Sequence, residues 1–335
     1  MPWVTLDPPP LCLPSLSPLN RILPPTIHDV GARRLSGERF ISGGYPPGRS
    51  CVLGLSHVWS VLLAAAWVAL RFTAFTVLQG GGILGFRLCG PEGQGFSLDA
   101  SSLPLVLYVF SAVIYLSCSA AAHLLESHSE LRHRSLFLLD YVAGTVYQYG
   151  CALALSLYSA DAAWAQGMLG QAFLPAAALL AWLSCTACCY AELRPRRPYP
   201  LGRRLCLLAA VAAASLLDIS PVAQRLATHS WTSSSALHFL QVVLFLLSAF
   251  FFSFHVSVRF YAGRLALQLS HVLLSLCTLA QQEALFRDFL WRRAALVREL
   301  GEERLLLACA SLPGLAMCCA TTALAMRRRA QAQQI

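Results

Sequence analysis

Long apolar runs alternate with short polar breaks along most of this chain, and the runs are close to the length needed to cross a bilayer. Eight of them stand out, at about 57 to 79, 103 to 125, 136 to 159, 168 to 190, 205 to 221, 235 to 257, 265 to 286 and 304 to 326. A span of about twenty residues crosses the hydrocarbon core. Lipid offers the backbone no hydrogen-bond partner, so each run is predicted to be a helix rather than a strand. The fifth run is the weakest, because it is short and ends in Asp218-Ile219-Ser220-Pro221.

Composition agrees with this pattern. Hydrophobic residues make up 57% of the 335 and charged residues 12%, too apolar for an ordinary soluble domain of this length. The predicted fold class is all-α: a polytopic integral membrane helical bundle. Residues 1–50 form a Pro-rich arm, 51–326 the bundle and 327–335 a short basic tail. The arm lacks a basic segment followed by an apolar core, so it is not read as a signal peptide. Its later stretch, ERFISGGYPPG, has turn chemistry suited to docking on the membrane face.

Charge sets the expected orientation. Arg33, Arg34, Arg39 and Arg49 precede the first run, Arg132 and Arg134 follow the second, Arg194 to Arg204 the fourth, and Arg327, Arg328 and Arg329 the last. The opposite loops carry Arg87, then no base, then Arg225, and finally Arg292, Arg293 and Arg298 interleaved with Glu299, Glu302 and Glu303. The positive-inside rule then places both termini in the cytosol. All 25 basic residues are Arg, and the net charge is +9. Spread over loop ends, these charges suit orientation and anionic headgroups rather than nucleic acid.

Four polar residues lie inside apolar runs: Ser119, His123, Asp140 and His271. Such groups are costly in hydrocarbon unless paired or functional. Ser119 and His123, four apart, share one helix face. Counting from the turn near Glu130, His123 and Asp140 reach similar depths on antiparallel neighbours, and His271 lies comparably far from its own helix end. One layer near the cytosolic side is expected to hold all four. Two imidazoles, a hydroxyl and a carboxylate have the composition of a zinc site with an orienting or acid–base carboxylate. They equally suit a His123–Asp140 pair that fastens a helix hairpin.

The remaining buried polar groups have ordinary readings. Arg71 is expected to snorkel outward, Asp218 and Glu283 to be interfacial, and Gln148, Gln241, Gln281 and Gln282 to join helices or line a cavity. Most of the thirteen cysteines fall inside the runs, where they act as small apolar residues. Cys185, Cys188 and Cys189 are read as packing or acylation sites before metal ligands, since no second pair accompanies them.

The stretch YLSCSAAAHLLESHSELRHRSLFLLDYVAGTVYQYG resembles the second and third helices of the progestin and adipoQ receptor family, specifically its membrane progestin receptor branch of alpha and beta type. FLPAAALLAWLSCTACCYAELRPRRPYP, LDISPVAQR and LCTLAQQEAL resemble the same branch, and the likeness runs from about Phe40 to the final helix. The resemblance implies a seven-helix core plus an eighth helix, a cytosolic amino terminus and a steroid or lipid ligand. It implies a plasma-membrane receptor for progesterone-like steroids that signals to intracellular partners, inhibitory G proteins among them, with Arg194 to Arg204 and Arg327 to Arg329 as contact surfaces.

The same resemblance implies a ceramidase-like zinc centre built from S-x-x-x-H, an Asp in the third helix and H-x-x-x-H in the seventh. Ser119, His123 and Asp140 match the first two elements, and His271 matches the second His of the last. Leu267 stands where the first should be, and RFYAGRLALQLSH is shorter than the usual run. The first-helix pattern E-x-x-N-x-W-T-H is reduced to Trp59 within Gly54 to Val61. An enzyme of this kind would be a zinc-dependent lipid amidohydrolase, with His123 and His271 as ligands and Asp140 and Ser119 as catalytic groups. A divergent paralogue that has lost this chemistry is the third reading.

Overall fold

The computed structural model describes residues 47–79, 99–125, 130–193, 201–228, 233–257 and 261–332. The Pro-rich arm up to residue 46, the loop of residues 194–200, Arg87, and the side chains of Gly54 to His57 and of Arg203 and Arg204 lie outside the described residues. The chain divides into two units, Met1–Ser50 and Cys51–Ile335, and the helical bundle belongs to the second.

Among the described residues nearly all are helical and none lies in a strand. Eight long helices coincide with the eight apolar runs: α1 (Pro47–Leu78), α2 (Leu103–Leu124), α3 (Glu130–Ala154), α5 (Met168–Leu193), α6 (Leu201–Thr228), α7 (Ser233–Ser257), α8 (Tyr261–Leu300) and α9 (Glu302–Ala332), with the short α4 (Ala162–Gln166) between α3 and α5. By length and composition, Val58–Leu78, Ala100–Leu124, Met168–Leu193, Ser233–Ser253 and Glu302–Ala332 are apolar enough to cross a membrane. Helices α3, α6 and α8 carry more of the polar side chains, and each contributes polar groups to the interior.

Helix ends follow local chemistry. A 3-10 turn, Ala100–Ser102, leads into α2, with Asp99 as its cap and Pro104 in the first turn of the helix. The last turn of α3 widens into a π turn, Leu155–Ser159. The weak fifth run continues past Pro221 for seven residues to Thr228. Proline also lies inside α5 and α9, at Pro175 and Pro313. Spanning helices tolerate such positions because neighbours satisfy the freed backbone groups. Between α8 and α9 the reversal takes one residue, Gly301, whose φ of 78° lies in the left-handed region.

Small residues and aromatics set the packing. A Cβ at Gly150 of α3 would stand 2.6 Å from Ser111 Oγ of α2. Tyr115 and Tyr147 stack across the same pair with ring centres 5.1 Å apart. On α1, Phe75 stacks on Phe286 of α8 at 4.1 Å. Tyr149 Oη and Ser311 Oγ bond at 2.7 Å between α3 and α9, and Trp182 Nε1 donates to Thr322 Oγ1 at 3.1 Å between α5 and α9. Trp59, Leu63, Trp67 and Leu70 of α1 are exposed, as a lipid-facing surface requires.

Candidate functional site

Polar side chains enter this bundle at three levels along α8. Lowest, nearest the α2–α3 turn, is the layer expected from the sequence. His123 and His271 approach edge to face, with ring centres 5.2 Å apart, and Phe137 closes on His123 at 5.5 Å. Leu267 O lies 2.8 Å from His271 Nδ1. A carbonyl only accepts, so Nδ1 is the donor in this bond, as the non-ligating nitrogen of a metal-bound imidazole would be. Ser119 neighbours the Asp140 carboxyl, and Ser119 Oγ and Asp140 Oδ1 are buried with no well-formed hydrogen bond among the described residues.

Zinc is normally held by at least three protein ligands. Among the described residues no three His, Cys, Asp or Glu side chains converge on a point that would hold a metal. Leu267 supplies only a carbonyl, already engaged by His271, so the donor set falls one ligand short of the centre the family motif describes.

About ten residues further along α8 comes a middle level. Tyr147 Oη and Thr278 Oγ1 bond at 2.8 Å, and Tyr108 donates to Thr278 O at 3.2 Å. Gln148 Nε2 donates to Asp218 Oδ2 at 2.9 Å. Asp218 is 8% exposed, and Gln148 supplies its partner inside the bundle. Near the same depth, Arg71 does not reach outward: its Nε donates to Glu283 Oε1 at 2.6 Å, and both side chains are about one third exposed. Glu283 is the anion that Arg71 pairs with within the protein.

The third level escaped the sequence reading. Asp288, 3% exposed, accepts from Ser159 Oγ (2.5 Å), Arg225 Nη1 (2.8 Å) and His238 Nε2 (2.8 Å) on Oδ2, and from Ser234 Oγ (2.5 Å) on Oδ1. His238 is fully buried, and its Nδ1 lies 3.2 Å from Gln241 Oε1. One carboxylate thus clasps the π turn, α6, α7 and α8. A usable signal was present: His238 and Gln241, three apart in an apolar run, share a helix face. Asp288 lay two residues beyond a predicted span, where an acid is unremarkable.

The architecture and these buried polar levels define a polytopic helical membrane protein built around an interior polar axis. Its sequence matches the family model described as Haemolysin-III related over residues 51–282. The chain belongs to that family, the progestin and adipoQ receptor family of the sequence motifs. It is 38% identical over 332 residues to membrane progestin receptor beta of Homo sapiens, covering 93% of this chain and 89% of that one. Membrane progestin receptor alpha of Sus scrofa is 43% identical over 246 residues, covering 71% and 65%. Membrane progestin receptor alpha-B of Danio rerio is 36% identical over 248 residues, covering 71% and 66%.

Proposed function

We propose that this chain is a plasma-membrane receptor that binds progestins inside its helical bundle and signals to intracellular partners, inhibitory G proteins among them. The observation that carries this reading is likeness to named membrane progestin receptors along 93% of the chain. The interior supports it: an apolar bundle with sparse polar groups suits a rigid apolar ligand with a few oxygen atoms. By the Arg distribution both termini face the cytosol, which puts Arg194 to Arg204 and Arg327 to Arg329 on the side of the signalling partner. Membranes from cells expressing the chain are expected to bind labelled progesterone saturably and competably. Binding no greater than in untransfected membranes rejects the reading.

The second reading is the zinc-dependent lipid amidohydrolase, and the approach of His123 to His271, whose Nδ1 is held by Leu267 O, favours it. Its weakness is the missing third ligand at Leu267. Stoichiometric zinc in purified protein, with turnover of a ceramide-like amide lost in His123→Ala, would establish it. Normal surface expression with neither steroid nor zinc would instead assign a scaffold role.

A further inference from the structure

The four interior glutamines do not behave alike. Gln148 Nε2 donates to Asp218, Gln282 Nε2 donates to Val68 O at 2.9 Å, and Gln241 Oε1 meets His238. Each of these joins two helices or braces a neighbouring side chain. Gln281 is 3% exposed, yet among the described residues its Nε2 makes no well-formed hydrogen bond, and its nearest polar neighbour is the Cys151 thiol, a weak acceptor. A donor left unmet in an apolar interior is disfavoured, and its persistence calls for an acceptor from elsewhere.

The surroundings specify what that acceptor belongs to. Cys151 of α3 adjoins both Gln281 and Tyr147, with Asp218 of α6 close by. The nearby polar atoms are committed: Tyr147 Oη to Thr278, Asp218 Oδ2 to Gln148, and Cys277 Sγ to Gln241 O at 3.4 Å. What remains is a weakly polar wall of thiols and an aromatic ring with one amide donor set in it. Such a wall suits an apolar skeleton bearing a carbonyl oxygen, which accepts without needing to donate.

We infer that Gln281 is the recognition donor of the ligand site: its Nε2–H bonds a ketone oxygen of a steroid held among α3, α6 and α8. This inference rests on the receptor reading above, and it assigns the residue that discriminates a ketone from its absence.

The test compares progesterone with two analogues, each lacking one of its two ketones, on membranes carrying wild type, Gln281→Met or Gln282→Met. Wild type is expected to bind one analogue about tenfold more weakly than progesterone. Gln281→Met should weaken progesterone by a similar factor and close the gap to that analogue, while Gln282→Met leaves the gap open. A gap that survives in Gln281→Met, or no gap in wild type, overturns the inference and leaves the receptor reading standing. Wild type without saturable progesterone binding removes both. Should Gln281→Met not be recovered as monodisperse protein in detergent, Gln281→Leu makes the same comparison.

Discussion

Nε2 of His238 donates to Oδ2 of Asp288 at 2.8 Å, and both side chains are withdrawn from solvent. This bond is the innermost of a set that draws four elements onto one carboxylate. Removing the carboxylate leaves Arg225 and His238 without their anion. Asp288→Ala is therefore expected to destabilise the protein by about 3–5 kcal/mol, the cost of breaking a buried pair from one side. Thermal unfolding in detergent measures it. A change within experimental error would mean the clasp does not hold the bundle.

Arg71 and Glu283 form a weaker pair, since each is about one third exposed. Arg71→Ala and Glu283→Ala should each cost about 1 kcal/mol or less, with coupling of a few tenths. A double-mutant cycle on unfolding temperature separates the pair term from the loss of Arg71's packing near Phe286, whose ring centre lies 6.0 Å from the guanidinium carbon.

Leu267 and His271 are four apart and share a helix face. Leu267→His is expected to add the missing imidazole and raise zinc retained after purification toward one ion per chain. The wild type should stay well below that level. Elemental analysis against total protein reports both, and an unchanged value in the variant would show that position 267 is not directed at the layer.

Gly150 has no room for a side chain. Gly150→Ala should destabilise by about 1–3 kcal/mol through overpacking against Ser111. Ser111→Ala in the same protein should recover much of the loss, because it removes the atom that the new methyl would meet. Full persistence of the loss would point instead to a backbone shift.

The sequence disclosed most of the fold because bilayer length and backbone satisfaction leave few alternatives. All eight apolar runs became long helices, and even the weak fifth run did so. Its Asp218 looked like an end signal, yet Gln148 from another helix satisfies it inside the bundle. The low layer of the candidate site was legible for the same reason: depth can be counted from a turn, and His123 and His271 do approach each other. The upper clasp was not legible, because it joins residues from four elements that are far apart in sequence. Nothing local marks Ser159 or Ser234 as partners of Asp288. Arg71 shows the same limit, since its anion lies 212 residues away.

Helix α8 runs unbroken for 40 residues, which at 1.5 Å per residue is roughly 60 Å, against about 30 Å of hydrocarbon. Its predicted span ends at Phe286, and the 14 residues beyond it stay packed on the bundle through Asp288, Phe289 and Leu296, each at most 3% exposed, while Trp291 is 90% exposed. Gly301, which ends this helix, therefore lies about 15 residues beyond the predicted span, roughly 22 Å along the helix axis. An epitope tag placed at Gly301 is expected to be reached by an antibody from the aqueous side without entering the bilayer. Which side of a living cell it labels would read out the sidedness of the whole chain.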